Sequence, residues 1–209
     1  MAEAPIPGVI LAGGRATRMG GGDKGMLLLG GQRLIDRVIA RLSRQCGPMA
    51  VNANGDPARF AALGLPVLAD SVEGLPGPLA GVLAGLDWAA ALGASHIVTA
   101  AADTPFPPVD LVARLQDAAR EDGTPIALAA TRDDEGCLRR HPTFGLWPVA
   151  LREDLRAALS KGMRKVVLWT DRHGAACAEF EADGLDPFFN VNTPEDMAQA
   201  QRLLARGVA

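Results

Sequence analysis

The sequence predicts an α/β layered fold with a mainly parallel central sheet. Short apolar strand segments alternate with helix-length segments along most of the chain, which is typical of strands joined by helical crossovers. No internal repeat, low-complexity segment or interdomain linker interrupts this alternation. At 209 residues the chain is long enough for a complete hydrophobic core. We therefore expect one domain that spans residues 1–209.

The first half of the chain alternates regularly. The first helix is amphipathic, because Leu34, Ile35, Val38 and Leu42 fall on one face at helical spacing. The segment 96–100 is β-branched and apolar, and Pro105 follows its end. In order, we predict strands at 7–11, 49–52, 67–68, 96–100 and 125–130, and helices at 34–43, 57–63, 78–92 and 108–120 between them.

The second half is less regular. Its last helix has a clear start, because Thr193 suits the N-cap, Pro194 suits the first helical position and Glu195 places an acid in the first turn. Before it, we predict a charged turn at 131–136, an antiparallel or extension strand at 142–147, and helices at 149–159 and around 163–171.

Composition and charge exclude several classes of protein. A formal net charge of −3 argues against a broad nucleic-acid-binding surface, which needs a basic face. No apolar run approaches the length of a membrane span, and the N-terminus lacks the pattern of a signal peptide. The three cysteines are far apart and match neither a disulfide framework nor a zinc spacing. We expect a cytoplasmic monomer that binds neither nucleic acid nor a membrane.

The segment 9–25 carries the strongest functional signal. An apolar strand runs into two glycines, and four more glycines follow before the segment ends. Glycines let bare backbone N–H groups approach a ligand, and Arg15, Arg18 and Lys24 add three cations, so the segment is predicted to bind a polyphosphate. The ammonium group of Lys24 suits a point-charge contact with the phosphates, and the guanidinium of Arg18 suits a bidentate hydrogen bond to two phosphate oxygens.

Two common phosphate-binding patterns do not fit this segment. A dinucleotide fingerprint is formally present at 20–25, but it begins nine residues beyond Leu11 and not directly after the strand. The Walker pattern requires Ser or Thr after the lysine, and here Gly25 follows Lys24. The segment is therefore predicted to be a glycine turn followed by a long arm that carries Arg18 and Lys24.

Polar residues follow four of the predicted strands. Ligands of open α/β sheets bind outside the carboxyl ends of the strands, so these segments should meet at one site. Asp103 would face the phosphate-binding segment there. A carboxylate repels a triphosphate unless a hard cation lies between them, which makes Asp103 a candidate Mg²⁺ ligand. The four segments are 11–13, 52–54, 70–71 and 102–104.

Asparagine, aspartate and histidine residues elsewhere in the sequence each fit more than one role. Asn52 and Asn54 offer donors and acceptors that suit a base, a ribose or a turn. The carboxylate of Asp70 suits the two adjacent N–H donors of guanine, but residue types alone do not choose the base. His141 has no partnered Ser or Cys nucleophile, so we expect a turn or ligand contact and not a catalytic triad.

These motifs resemble the signature of nucleotidyltransferases, and in detail that of the molybdenum cofactor guanylyltransferases. Leu-Ala-Gly-Gly at 11–14, Arg-Met-Gly at 18–20 and Asp-Lys-Gly at 23–25 carry the general resemblance. His-Pro-Thr at 141–143 and Asn-Val-Asn-Thr-Pro-Glu at 190–195 are more specific to the guanylyltransferases. Nearly the whole chain is covered, since further matching segments lie at 51–54, 69–71, 76–81 and 102–105.

The resemblance implies a three-layer Rossmann-like nucleotidyltransferase fold with a mostly parallel central sheet. It also implies Mg²⁺-dependent transfer of GMP from GTP to the terminal phosphate of molybdopterin, usually already carrying molybdenum, with release of pyrophosphate. Arg33 departs from the family, which usually has proline there. Catalytic roles fall on Arg18, Lys24 and Asp103, with Asp103 holding the metal; GTP contacts fall on Leu11, Ala12, Gly13, Lys24, Asn52, Asp70 and Asp103, and pterin-side roles on Arg164, Lys165, Asn190 and Asn192.

Other interpretations remain. A cytidylyltransferase acting on the same pterin and a sugar-phosphate nucleotidyltransferase would share this fold. A non-catalytic nucleotide-binding module is an alternative of a different class, but it would not need Asp103, His141 and the two C-terminal asparagines together. In the first interpretation the partners are GTP and molybdopterin, with transient contacts to other proteins of cofactor biosynthesis.

Overall fold

The computed structural model describes residues 5–13, 22–72, 77–182 and 186–207. Its strands are β1 (Gly8–Leu11), β2 (Leu28–Leu29), β3 (Gln32–Arg33), β4 (Met49–Asn52), β5 (Val67–Leu68), β6 (His96–Ala101), β7 (Ile126–Arg132), β8 (Leu138–Pro148) and β9 (Ala175–Phe180). Its α-helices are α1 (Leu34–Leu42), α2 (Pro78–Ala91), α3 (Leu111–Asp122), α4 (Arg152–Ser160), α5 (Val166–His173) and α6 (Pro194–Ala205). Short 3-10 helices cover Lys24–Met26, Pro57–Leu63 and Val149–Leu151.

A seven-stranded sheet in the order β5-β4-β1-β6-β8-β7-β9 forms the centre of the fold. Neighbouring strands are parallel except at β8, which runs antiparallel to both β6 and β7. The prediction of a mostly parallel sheet is therefore confirmed. The segment predicted as an antiparallel or extension strand at 142–147 lies within the antiparallel strand β8.

The register of four neighbouring strands brings their carboxyl ends to the same level. Leu11 pairs with Asn52 on one side and with Ala101 on the other, and Asn52 pairs in turn with Leu68. Positions that lie two residues beyond these paired residues therefore emerge at the same edge of the sheet. Those positions are Gly13, Asn54, Asp70 and Asp103.

Hydrophobic side chains cover both faces of this sheet, as the three-layer prediction requires. Val9 and Ile10 are adjacent on β1 but belong to different core clusters, because successive side chains of a strand point to opposite faces. The cluster around Ile10 is covered by α1, α3 and the 3-10 helix Pro57–Leu63. The cluster around Val9 is covered by α2, α4 and α5. Its fully buried Trp147 donates its indole N–H to Thr99 Oγ1 at 2.9 Å, so the ring brings no unsatisfied donor into the core.

The hairpin of β2 and β3 follows the glycine-rich segment and was not predicted. Gly30 and Gly31 form its turn at φ of 58° and 79°, values that glycine adopts without strain. Leu29 of this hairpin packs with α6 in a third hydrophobic cluster. Arg33, at the position where the resembling family has proline, directly precedes α1 and donates to both carboxylate oxygens of Asp36, at 2.7 and 2.9 Å.

Several element boundaries differ from the sequence predictions; for example, the helix expected at 149–159 consists of a 3-10 helix followed by α4. The helix expected from residue 108 begins at Leu111, where Gln45 Oε1 accepts the free Val112 N–H at 3.0 Å. Because Gln45 belongs to a distant part of the chain, this terminus was not readable from local pattern. The charged turn expected at 131–136 is shorter, since β7 continues through Arg132.

The edge strand β9 was also missed. Its sequence, Ala-Ala-Cys-Ala-Glu-Phe, contains no β-branched residue, so its local strand propensity is low. Pairing with β7 nevertheless holds it in a parallel register from Ala175 to Phe180. Tertiary pairing thus overrides local propensity at this edge of the sheet.

The described helices do not provide a membrane span. The longest of them, α2, has 14 residues, whereas a span requires about 20 apolar residues. None of the helices in the described ranges is long and apolar enough to cross a bilayer.

Candidate active site

The ammonium group of Lys24 lies between two groups that come from distant parts of the chain. Its Nζ donates a hydrogen bond to Asn192 Oδ1 and lies 3.7 Å from Asp103 Oδ2. Only 19% of the Lys24 side chain and 20% of the Asp103 side chain are exposed. The structure thus brings together three residues that the sequence analysis had assigned to the phosphates, the metal and the pterin.

The segment that carries Asn192 is tied to the end of β6. The Val191 N–H donates to the backbone oxygen of Asp103 at 2.9 Å, and Thr104 Oγ1 donates to Asn190 Oδ1. Asp196, in the first turn of α6, accepts the Asn192 N–H at 2.9 Å. Because backbone and side chains are both held, the two asparagines are positioned before any ligand arrives.

The predicted N-cap of the last helix explains part of this rigidity. Thr193 accepts the Asp196 N–H at 3.1 Å, and Asp196 accepts the Thr193 N–H at 2.9 Å. This reciprocal pair is a capping box, and it satisfies amides that a helix start otherwise leaves without partners. The predicted start of α6 is therefore confirmed, and it also holds the asparagine segment.

A second group of polar residues lies at the ends of β4 and β5. Asn52 donates its amide to Asp70 Oδ1 at 2.9 Å, and Asn54 donates to Asp70 Oδ2 at 2.7 Å. The Asp70 N–H returns a hydrogen bond to Asn54 Oδ1 at 2.9 Å. Each carboxylate oxygen retains a lone pair after accepting one amide hydrogen. The carboxylate of Asp70 is therefore oriented while it can still accept from a ligand.

Gly81 in the first turns of α2 allows this group to form. A Cβ at Gly81 would fall 2.9 Å from Leu11 Cδ2 and closer still to Asn52 Oδ1. Asn52 is 5% exposed and cannot move aside without disturbing the core beneath it. The absence of a side chain at Gly81 is thus required for the observed position of Asn52.

The residues at the end of β1 that are predicted to contact GTP lie at the same edge of the sheet. Ala12 donates its N–H to the backbone oxygen of Asn52 at 2.8 Å, and Leu11 accepts the Ala102 N–H at 3.0 Å. Gly13 is exposed, and nothing lies within 4 Å of the place where its Cβ would be. Arg15 and Arg18 lie outside the described residues, so their role on the phosphates stays a prediction.

Two of the residues predicted on the pterin side make their contacts away from Lys24 and Asp103. Arg164 and Lys165 are exposed and immediately precede α5. Arg164 donates to the backbone oxygen of Met163 at 3.0 Å. Among the described residues, neither forms a hydrogen bond or ion pair with Lys24, Asp103 or the asparagines. Their pterin-side role stays a prediction.

His141 has a packing role in the structure. Its Nε2 lies 2.8 Å from Thr131 Oγ1, and its ring stacks on Phe188 with centroids 4.5 Å apart. Burial lowers the pKa of His141, while the charge of Asp186 acts in the opposite direction. His141 lies within strand β8, so the expected turn is wrong. The imidazole supports the segment that leads to Asn190, and its contact with a ligand stays a prediction.

The electrostatics at Asp103 favour a cation. Burial raises the pKa of Asp103, and the neighbouring charge of Lys24 offsets this only in part. An additional positive charge beside the carboxylate would therefore stabilise its ionised form. No set of three His, Cys, Asp or Glu side chains in the described part of the chain forms a self-contained metal site. The geometry fits a cation shared between one carboxylate and a bound anion.

Several site residues were missed by the sequence analysis. Thr104 was noted only as part of a strand end, although it holds Asn190. Asp196 could have been found, since Thr-x-x-Asp before a helix is a variant of the capping-box pattern. Asp23 and Arg59 join in an ion pair of 2.8 Å beside Lys24, across 36 positions of the sequence. No local pattern indicates that pair.

Comparisons with known proteins identify the family of this chain. A family model described as the MobA-like NTP transferase domain matches residues 8–175. A molybdenum cofactor guanylyltransferase of Bradyrhizobium sp. (strain ORS 278) is 53% identical over 203 residues, covering 96% of this chain and 93% of the relative. One from Rhodopseudomonas palustris (strain BisB5) is 52% identical over 210 residues, covering 99% and 98%.

A solved structure supports the fold. Molybdopterin-guanine dinucleotide biosynthesis protein A from Archaeoglobus fulgidus superposes with a TM-score of 0.72 at 21% identity, covering 96% of this chain and all of that one. The sheet edge at which Lys24, Asp103 and Asn192 meet thus belongs to a fold that this protein shares with that structure. The chain is therefore a member of the MobA-like NTP transferase family and a nucleotidyltransferase.

Proposed function

We propose that the protein transfers GMP from GTP to the terminal phosphate of molybdopterin, with release of pyrophosphate and formation of the guanine dinucleotide form of the molybdenum cofactor. The observation that carries this proposal is the contact of Lys24 with Asp103 and Asn192 at the carboxyl edge of the sheet. It joins the phosphate-binding segment to the segment that is most specific to the resembling guanylyltransferases. Relatives of that name at 53% and 52% identity support it.

A magnesium ion fits the residues present. Mg²⁺ in phosphoryl-transfer enzymes is commonly held by one or two carboxylates together with substrate phosphates. Asp103 supplies one partly buried carboxylate at the carboxyl edge of the sheet, and burial raises its pKa although Lys24 acts in the opposite direction. Asp103 would hold the ion, which would supply charge neutralisation on the phosphate oxygens.

The protein residues act mainly by positioning and by electrostatics. The terminal phosphate of the pterin attacks the α-phosphorus of GTP in line, and the bond to pyrophosphate breaks. Both reactants are anions, so their mutual repulsion is the main obstacle. Lys24, backbone N–H groups after β1 and the predicted Arg18 would offset this repulsion. No covalent intermediate on the protein is needed.

The oriented carboxylate of Asp70 is our candidate for base recognition. Its two oxygens are held by Asn52 and Asn54, which leaves acceptors for two adjacent N–H donors such as those of guanine. On the acceptor side, Asn190 and Asn192 would contact the pterin phosphate, with Arg164 and Lys165 as further candidates. We place this activity in the cytoplasm, carried out by a monomer that transiently meets other proteins of cofactor biosynthesis.

Nucleotide choice tests the proposal directly. The protein is incubated with Mg²⁺, molybdopterin or its molybdenum-loaded form, and labelled GTP or CTP, and pyrophosphate release is measured. We expect release with GTP that depends on the pterin. Release with CTP but not with GTP would instead assign a cytidylyltransferase. Release with a sugar phosphate as acceptor would assign a sugar-phosphate nucleotidyltransferase. GTP binding without any pyrophosphate would indicate a non-catalytic module.

A pair of glycine substitutions tests the role of Gly81. Gly81 and Gly85 are one helical turn apart on α2, and a Cβ at either would overpack, against Asn52 and Leu11 or against Val9 and Ile97. We expect Gly81→Ala and Gly85→Ala each to lower the free energy of unfolding by about 1–3 kcal/mol. Only Gly81→Ala should weaken GTP binding in calorimetry, because only it displaces Asn52. Equal binding by both variants would contradict this role.

A further inference from the structure

The guanidinium of Arg59 joins two loops at the edge of the site. Arg59 lies on the 3-10 helix Pro57–Leu63, and its Nη1 donates to both carboxylate oxygens of Asp23, at 2.9 and 2.8 Å. Its Nη2 donates to the backbone oxygen of Asn54, and its Nε donates to that of Asp56 at 3.0 Å. One side chain therefore connects the phosphate-binding segment to the loop after β4.

Most of the hydrogen-bonding capacity of Arg59 is used within the protein. All three nitrogen atoms of the guanidinium donate to acceptors within the protein. Lys24 differs, because its ammonium group faces the candidate metal ligand Asp103 and Asn192. The contacts of Arg59 are those of a group that holds other residues in place, and not those of a phosphate ligand.

Asp23 transmits this restraint to Lys24. Asp23 directly precedes the 3-10 helix Lys24–Met26, and its backbone oxygen accepts the Met26 N–H at 3.0 Å. On the other side of Lys24, Gly25 is pressed against the end of β6, where a Cβ would lie 2.9 Å from Ala102 Cβ. The backbone of Lys24 is thus fixed by a close approach at Gly25 and by the ion pair at Asp23.

The same guanidinium also reaches the candidate base-recognition group. Asn54, whose backbone oxygen accepts from Arg59, holds Asp70 through its side-chain amide at 2.7 Å. Arg59 therefore links the residue proposed to contact the phosphates with the residues proposed to orient Asp70. The Asp23 side chain is 13% exposed and that of Arg59 is 40% exposed, so this ion pair is partly shielded from solvent.

We propose that Arg59 is a positioning residue, which acts through Asp23 to hold Lys24 at the distance from Asp70 that a nucleoside triphosphate requires. This inference deepens the proposed function and rests on it. Because the Arg59 end of this ion pair is 40% exposed, the pair should contribute only modestly to folding, and the effect of Arg59 should be seen in catalysis more than in stability. Misplacement of a reacting group by about 1 Å can cost about 100-fold in rate.

A double-mutant cycle in kcat/KM for GTP tests this mechanism. Arg59→Met keeps the apolar stem and removes every hydrogen-bond donor of the side chain. Asp23→Asn removes the negative charge with which Arg59 forms its ion pair. We expect each to lower kcat/KM by about 10-fold to 100-fold, and the double variant to fall no further than the weaker single variant. Arg59→Lys should keep only part of the activity, because a single ammonium nitrogen cannot bind Asp23 and also reach the backbone oxygens of Asn54 and Asp56. Arg120→Met, which breaks the exposed pair with Asp117 on α3, is the matched control and should be unchanged.

Two outcomes would overturn the proposal. If Arg59 bound phosphate directly, Arg59→Met would lose as much activity in the Asp23→Asn background as in the wild type. Equal kinetics of Arg59→Met and wild type would show that the restraint has no effect.

A readout that needs no activity separates this inference from the proposed function. Hydrogen exchange at the Met26 and Leu27 amides, which bond to Asp23 and Lys24, should be faster in Arg59→Met than in wild type and in Arg120→Met. If the wild type released no pyrophosphate from GTP, the proposed reaction would fail while this exchange result still decided the role of Arg59. Unchanged exchange would reject that role even in an active enzyme.

Discussion

Replacing Asp103 by Asn is expected to reduce kcat by about 100-fold to 1000-fold in Mg²⁺. Asparagine keeps the shape and one oxygen but removes the negative charge that a hard divalent cation prefers. The contacts around it that do not need this charge remain, since Asp103 holds Val191 through its backbone oxygen. Pyrophosphate release from GTP with the pterin acceptor is the measurement.

The same substitution should not unfold the protein. Burial raises the pKa of Asp103 despite the charge of Lys24, so the ionised carboxylate is less favourable in the folded state than in the unfolded state. This cost is present above the folded-state pKa and disappears as the pH falls below the unfolded-state pKa. A neutral asparagine removes it at neutral pH, so denaturant unfolding should show equal or greater stability. Turnover near that of the wild type would contradict the assignment of Asp103.

Replacing Lys24 by Met is expected to cost about 2–4 kcal/mol of transition-state stabilisation, which is about 30-fold to 1000-fold in kcat/KM. Methionine preserves much of the length and apolar character of the side chain but carries no charge. The reaction brings two anions together, and Lys24 is the described cation that lies beside Asp103 and Asn192. Steady-state kinetics with GTP measure the loss.

Lys161 provides the control for this variant. The chain has three lysines, and Lys161 is exposed at the end of α4, with no proposed role. Lys161→Met should keep the wild-type rate. In Lys24→Met, Asp103 loses the positive charge that holds its pKa down, so the acid limb of the pH–rate profile should move to higher pH. An unchanged rate and profile in Lys24→Met would refute the electrostatic role.

Most of the sheet was predictable because its strands carry their own signals. The strand predicted at 49–52 coincides with β4, and the helix predicted at 57–63 coincides with the observed 3-10 helix. Buried parallel strands are apolar along their whole length, and amphipathic helices show one apolar face, so both patterns survive in sequence. The edge strand β9 was missed because its alanines gain a strand conformation only by pairing with β7.

The site was predictable to the extent that it depends on strand ends. Parallel strands place their carboxyl ends at one edge, and the observed register of Leu11, Asn52 and Ala101 confirms that the expected segments meet. The contact between Lys24 and Asn192 spans 168 positions of the sequence, so no local pattern could reveal it.

By itself, the sequence determined the alternating α/β architecture, the glycine-rich segment with its cations, and the family to which the motifs point. These features depend on local periodicity, on backbone freedom at glycine and on residue types at strand ends. Only the tertiary structure decided that Asn192 contacts Lys24, that the missing side chain of Gly81 leaves space for Asn52, and that Arg59 forms an ion pair with Asp23. The physical reason is that these contacts arise only when segments far apart in the chain are packed against one sheet edge.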